Sequence, residues 1–279
     1  MSIRNLVFVR KYSTSIYFIL VFVLSWGPII FLAGPANLPI DPELSENILP
    51  ILYTFMLIGP SVAGILLIGL VNGKEGFRNF KARLFRWRTG IRWYAVALLT
   101  APALASIILF ILACISPEFE IGLFNSEAKS GLILSGIITG LMVGIFEEVG
   151  WSGFLIPNLR LRHNIIITGI IVGLFWGAWH FILFWERDSF LGYMPLLILT
   201  GRLFTWLPPY RILMVWILDR TESLFLVILT HASLVFTTTV LVPMTLKGEN
   251  LLIWLAVWSA SLWIVVIAIS TSIKRLNAR

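Results

Sequence analysis

The chain has 279 residues, of which 58% are apolar and only 13% charged, with a mean hydropathy of +0.93. A soluble domain carries about 25% charged residues, so the composition excludes an ordinary soluble enzyme. It points to an all-α, polytopic membrane helical bundle, a single integral membrane domain over 1–279. The net charge of +7 does not mark a nucleic-acid binder. Most of the excess sits in Lys74, Arg78, Lys81, Arg83, Arg86, Arg88 and Arg92, between two apolar runs, as in a cytoplasmic loop. The partners this implies are the lipid bilayer and, at the basic loop, anionic lipid headgroups. Trp87 and Trp93 beside these charges fit an interfacial belt. The single cysteine, Cys114, excludes a disulfide within the chain and a cysteine metal cluster; in its apolar run it reads as a small packed side chain.

A spanning helix needs about 20 mostly apolar residues. Eight segments qualify: 14–34, 48–72, 93–116, 130–154, 165–185, 190–217, 223–244 and 251–273. The first follows Arg4, Arg10 and Lys11 and is too long for a signal-peptide core, with no small-residue cleavage site after it; it reads as an uncleaved anchor. In the sixth, Pro208-Pro209 should break or kink the helix. With the N-terminus inside, the inner side receives Arg4, Arg10, Lys11, the seven cations of the basic loop, Arg160, Arg162, Arg220, Lys274, Arg275 and Arg279. The outer side receives Lys129, Arg187 and Lys247. That is 16 against 3, with Arg202 and Arg211 in or near the sixth span. The acids Asp41, Glu43, Glu46, Glu118, Glu120 and Glu127 fall in the outer loops. Eight helices with both termini cytoplasmic satisfy the positive-inside rule. The chain shows no organelle signal, which fits a prokaryotic plasma membrane.

Glu147 and Glu148 interrupt the fourth span between Leu132 and Leu155. An ionisable side chain at bilayer depth costs about 2.5 kcal/mol or more, and such groups are functional by default. On a helix the two neighbours point about 100° apart, so one faces a site and the other holds structure. Two close carboxyls disfavour double ionisation, which suits one of them to take a proton from water. His180 in the fifth span and His231 in the seventh are the next ionisable groups inside apolar runs. Counted at 1.5 Å per residue, Glu147, His180 and His231 overlap in depth, in the inner, cytoplasmic half of the membrane. Trp176 lies four residues before His180 on the same face. Gly173 and Gly177 let a neighbouring helix approach closely. The plainer reading is a polar interhelical network without chemistry; the case for a hydrolytic site comes from the set. No HExxH or GxSxG motif is present. His163, beside Arg160 and Arg162, reads as a solvated or headgroup-facing residue.

Glu147-Glu148-Val149-Gly150-Trp151-Ser152-Gly153-Phe154-Leu155, then Trp176-Gly177-Ala178-Trp179-His180, then Thr230-His231-Ala232-Ser233 resembles the CPBP intramembrane protease family. This is the group of type II CAAX prenyl endopeptidases and bacteriocin-processing Abi proteins. The resemblance covers about 130–245, which it marks as a CAAX-protease-like catalytic core, and the family's eight-helix fold agrees with the count above. It implies an intramembrane endopeptidase that hydrolyses a peptide bond of a membrane-associated peptide or protein. Glu147 would activate water, His180 would assist or orient it, His231 would stabilise the oxyanion and Glu148 would organise the site. A zinc site from Glu147, His180 and His231 with water would satisfy the usual ligand count; the same residues could also act without metal.

Two departures stand out. The family's first motif usually reads Glu-Glu-x-x-x-Arg, and Ser152 holds the arginine position. The last motif usually carries Asn four residues after its histidine, and Val235 stands there. Thr238 would supply a hydroxyl in its place, and Arg202 would pair with Glu148. These departures keep open a catalytically inactive scaffold or bacteriocin-immunity protein of the same fold. A small proton-coupled transporter is a further alternative, but it would need paired broken helices, and only one Pro-broken span is found.

Overall fold

The structure, a computed structural model, describes residues 3–39 and 42–277. Every described element is helical, with no strand among the described residues. A short α1 (Ile3–Lys11) leads into α2 (Ser13–Ala33) and α3 (Pro42–Leu67). A π turn (Ile68–Asn72) joins α3 to α4 (Gly73–Leu84), which carries basic-loop residues, and α5 (Ile91–Ala113) follows. After a one-turn α6 (Gly122–Asn125) comes α7 (Lys129–Gly150), then a second π turn (Trp151–Leu155) and α8 (Ile156–Arg160). Next are α9 (Ile165–Phe184), α10 (Tyr193–Thr200), a third π turn (Gly201–Thr205) and α11 (Leu207–Thr221). The chain closes with α12 (Leu224–Val240) and α13 (Gly248–Asn277).

Among the described residues six helical segments are long and apolar enough to cross a membrane, and α12 is a shorter apolar helix. This is a polytopic helical membrane protein. The expected sixth span, 190–217, is divided in two. The break falls in the π turn before Leu207, so Pro208 and Pro209 sit in the first turn of α11, where a missing N–H costs nothing. Asp41 and Arg279 of the charge count lie outside the described residues, as do the side chains of Arg4, Glu43, Glu46, Lys274 and Arg275.

Small residues set the helix contacts. Gly136, Gly140 and Gly144 form one stripe of α7 against α12; a Cβ on Gly140 would stand 2.5 Å from the Ala232 carbonyl oxygen. Gly169, Gly173 and Gly177 do the same for α9. A Cβ on Gly173 would meet the Pro208 Cα at 2.4 Å, and one on Gly177 the Leu203 carbonyl oxygen at 1.8 Å. The close approach expected at Gly173 and Gly177 is therefore made by the broken segment itself. On α5 the packed stripe is Ala97, Ala101, Ala105, Ile108 and Leu112. Cys114 lies beyond it at the helix end and is exposed. The expectation of a packed cysteine is thus corrected: an apolar neighbourhood in sequence does not keep a residue on the packed stripe.

Contacts sort the connections into two faces. Arg86 pairs with Glu222 at 2.7 Å, the Ser223 hydroxyl donates to the Arg86 carbonyl at 2.6 Å, and Arg160 pairs with Asp219 at 2.6 Å. Arg10 donates to the Val71 carbonyl at 3.0 Å. These contacts gather the basic loop, α1 and the α8–α9 and α11–α12 turns at one end. At the other end the Asn250 amide donates to Glu118 at 2.5 Å, and the Gly122 N–H donates to the Leu241 carbonyl at 2.9 Å. On the basic face Arg88 lies over the exposed Trp87 ring at 4.9 Å. Trp93 packs edge-on to Trp216 at 5.0 Å.

Candidate active site

Glu147 and Glu148 close the last turns of α7, where the backbone passes into the Trp151–Leu155 π turn. Such turns widen a helix locally and recur at functional sites. Here the turn keeps Trp151, Ser152 and Gly153 buried beneath the carboxyls. Gly150 is required at the junction: a Cβ there would stand 2.0 Å from the Pro60 carbonyl oxygen.

The two carboxyls face different surroundings, as their angular separation demands. Glu148 is fully buried, and its carboxylate is gripped on every side. One nitrogen of Arg211, Nη1, donates to both of its oxygens at 2.7 and 2.9 Å. The Ser152 hydroxyl donates to Oε2, and His231 Nδ1 lies 2.8 Å from Oε1. Among the described residues Glu147 accepts one hydrogen bond, from Trp176 Nε1 to Oε2 at 2.8 Å, and it lines a cavity of about 380 Å³. His180, His231, Trp176, Arg202 and Thr238 line the same cavity. The residues singled out in four apolar runs therefore meet around one space, with Glu148 behind its wall.

The hydrogen bonds assign the imidazoles. His180 Nδ1 lies 2.8 Å from the Trp176 carbonyl oxygen. A carbonyl only accepts, so Nδ1 carries the proton and Nε2 is left as an acceptor in the neutral ring. His231 Nδ1 likewise gives its proton to the Glu148 carboxylate. Its Nε2 presents a hydrogen only when the ring carries both protons. Trp176 joins the parts: its ring lies 3.8 Å beneath the Arg211 guanidinium and meets the rings of His180 and His231 edge-on at 5.3 and 5.1 Å.

Two expectations are corrected. Arg202 does not pair with Glu148; it reaches Glu186 at 3.0 Å, because the break after α10 places it near the loop end of the cavity. Arg211, one helix later, is the cation on Glu148. The expected ligand trio also differs from the group that lies closest. Glu147, Glu148 and His231 offer ligand atoms within 4.8 Å of one another, near enough to hold an ion, and His180 is outside that group. Thr238 reaches the cavity, but its hydroxyl donates to the Val235 carbonyl at 3.0 Å.

Arg211 and Ser152 are the site residues that sequence reasoning passed over. Arg211 was visible as a cation inside an apolar run. Ser152 was visible as the hydroxyl one helical turn after Glu148.

Residues 129–237 match the family model described as type II CAAX prenyl endopeptidase, Rce1-like. A CAAX prenyl protease 2 from Methanococcus maripaludis is 27% identical over 186 residues. That stretch takes in 64% of this chain and spans 66% of the relative's length. The matched segment contains Glu147, Glu148, Ser152, His180, Arg211 and His231, so over the whole of its buried site the chain resembles the Rce1-like membrane proteases.

Proposed function

We propose that the chain is an intramembrane endopeptidase with its catalytic core in 130–245, and that Glu147 is the base that activates water. The observation that carries this is the placement of Glu147 with His180 and His231 on one cavity while Glu148 is held behind it. Glu147 Oε1 is free to take a proton from water. His180 Nε2, an acceptor, orients that water. The protonated Glu147 then delivers its proton to the leaving amine, as a general base turned acid. His231 faces the oxyanion through Nε2 and stabilises it as a hydrogen-bond donor. Glu148 fixes the His231 ring, and Arg211 and Ser152 fix Glu148. The substrate is a peptide or membrane-protein segment; the relative's name offers prenylated CAAX ends as one class to test.

Glu148 is a poor zinc ligand in this arrangement. Glu148 already takes hydrogen bonds from Arg211, His231 and Ser152, and a buried guanidinium beside it opposes a divalent cation. The donors left for an ion are Glu147, His231 and the Nε2 of His180 on the same cavity, which would make up the three protein ligands of a catalytic zinc. Because the water, base and oxyanion roles are all filled by Glu147, His180 and His231 themselves, the reading taken is glutamate-dependent hydrolysis, and the chelator arm of the cleavage assay decides between it and a zinc enzyme. Cleavage of membrane peptides by the purified protein, with Glu147→Gln alongside, is the test; a cleaving Glu147→Gln protein would refute Glu147 as the base.

An inactive scaffold of the same fold is favoured by one feature. Val235 stands where the family it resembles usually has asparagine, and the hydroxyl of Thr238 on the same cavity wall is bonded to its own backbone. That reading expects any cellular phenotype to survive Glu147→Gln.

A further inference from the structure

Of the seven cations in the basic loop, six are exposed and Arg83 is half-buried. The helix that carries it explains the difference. α4 is amphipathic: Lys74, Arg78 and Lys81 are exposed on one side, while Gly76, Phe80 and Arg83 recur at helical spacing on the other. The Phe80 ring lies against Gly153, where a Cβ would stand 2.8 Å from it. Arg83 Nη2 donates to the Gly153 carbonyl at 2.8 Å.

That carbonyl has a particular need of a donor. In an α-helix it would take the N–H of the residue four further on, which is Pro157. Proline has no N–H, and its ring crowds the carbonyl four residues back. The backbone ahead of it widens into the Trp151–Leu155 π turn, in which the Ile156 N–H donates to the Trp151 carbonyl. Two carbonyls of the turn are taken by side chains: that of Gly153 by Arg83, and that of Phe154 by Asn158 Nδ2 at 2.7 Å. Asn158 belongs to the same stretch of helix and moves with it. Arg83 comes from 70 residues away in sequence and ties the turn to a different helix.

The turn leads directly to the candidate site. Ser152, the residue before Gly153, donates to Glu148 Oε2, and Glu148 holds His231 Nδ1 at 2.8 Å. We propose that Arg83 is a positioning residue: it supplies the hydrogen bond that Pro157 cannot, and so holds the π turn that sets Ser152 and Glu148 against His231. Its effect on cleavage rests on the hydrolytic reading above; its hold on the turn does not.

The test is amide hydrogen exchange of the full-length protein in detergent, read over 150–158, beside the cleavage assay. Arg83→Met keeps an apolar stem and removes the donors. Exchange over the turn is expected to accelerate about tenfold or more, as for the loss of a hydrogen bond from a charged group. Arg83→Lys keeps a charged donor and should recover part of the protection. Arg78→Met, on the outer side of the same helix, should exchange as wild type does. Pro157→Ala returns an N–H to the turn, and in that background Arg83→Met should have a much smaller effect. Wild-type exchange in Arg83→Met, equal acceleration in Arg78→Met, or an undiminished effect beside Pro157→Ala would overturn the proposal. If Arg83→Met does not fold, folding of the double variant with Pro157→Ala supports it, and failure of both overturns it. In cleavage, Arg83→Met should lose about 10- to 100-fold in kcat with KM unchanged, the cost of a misplaced catalytic group, and Arg83→Lys should regain part of that. Wild-type kcat beside accelerated exchange would overturn the positioning role. A protein that exchanges as expected but cleaves nothing would refute the peptidase reading and leave the hold on the turn standing.

Discussion

Arg211 and Glu148 form a fully buried ion pair between α11 and the end of α7, with one guanidinium nitrogen 2.7 and 2.9 Å from the two carboxylate oxygens. Removing one partner of such a pair leaves an uncompensated buried charge and costs about 3–5 kcal/mol. Arg211→Met is expected to lose that much stability, read as a drop in the unfolding midpoint in detergent. Adding Glu148→Gln to Arg211→Met should recover part of the loss, since the stranded carboxylate is then neutral. Arg211→Lys should not rescue, because an ammonium cannot keep both the carboxylate contact and the stack on Trp176.

Ser152 gives a reciprocal prediction. In the family this chain resembles an arginine usually stands at the position of Ser152; here that position holds a fully buried serine and the cation arrives from α11. Ser152→Ala should cost about 1–3 kcal/mol by removing one donor to a buried carboxylate. Ser152→Arg should be worse than Ser152→Ala, because a second guanidinium must fit beside Arg211. Combined with Arg211→Leu, Ser152→Arg should regain stability over either single change. Additive losses in the double variant would show that the two positions are not interchangeable sources of the same charge.

The legibility of the site followed from chemistry more than from pattern. Glu147, His180 and His231 stood out because ionisable groups are rare in apolar runs, and depth counting at 1.5 Å per residue was enough to bring them level. Arg211 was as conspicuous by the same rule but lay beside Pro208-Pro209, which made its segment read as a broken helix instead of a wall of the site. Charge balance and helical spacing assign Arg202 to Glu148 because they do not reveal the π turn at Gly201–Thr205, and that turn sends Arg202 to Glu186. The same turn divides the expected sixth span. The π turn at Trp151–Leu155 was equally invisible, since it depends on packing Trp151 against Tyr17 and Trp179. The helical class and most span positions were readable from length and apolarity alone.

Glycines separate into those that are needed and those that are not. Gly177→Ala would place a Cβ 1.8 Å from the Leu203 carbonyl oxygen, and Gly150→Ala one 2.0 Å from that of Pro60. Each should cost at the upper end of the about 1–3 kcal/mol typical of overpacking, and Gly150→Ala should also depress activity by shifting Glu147. Gly27→Ala meets nothing within 4 Å and should leave the unfolding midpoint unchanged or raise it. Thermal melts of the three proteins in one detergent check the ranking.

The donor geometry sets two variants of His231 apart. His231→Ala removes the hydrogen-bond donor that faces the oxyanion and is expected to lose about 10²–10³ in kcat. His231→Gln keeps an amide donor and is expected to retain more activity than His231→Ala. Wild-type kcat in a folded His231→Ala protein would remove His231 from the oxyanion role.

The most direct measurement is cleavage of a panel of membrane peptides, prenylated CAAX ends among them, by the purified protein in detergent. Wild type is compared with Glu147→Gln, each with and without a chelator. A glutamate-dependent intramembrane peptidase requires cleavage by wild type that the chelator does not abolish, and none by a folded Glu147→Gln protein. Equal cleavage by both proteins, or loss of wild-type cleavage on chelation with recovery on adding zinc, would contradict it.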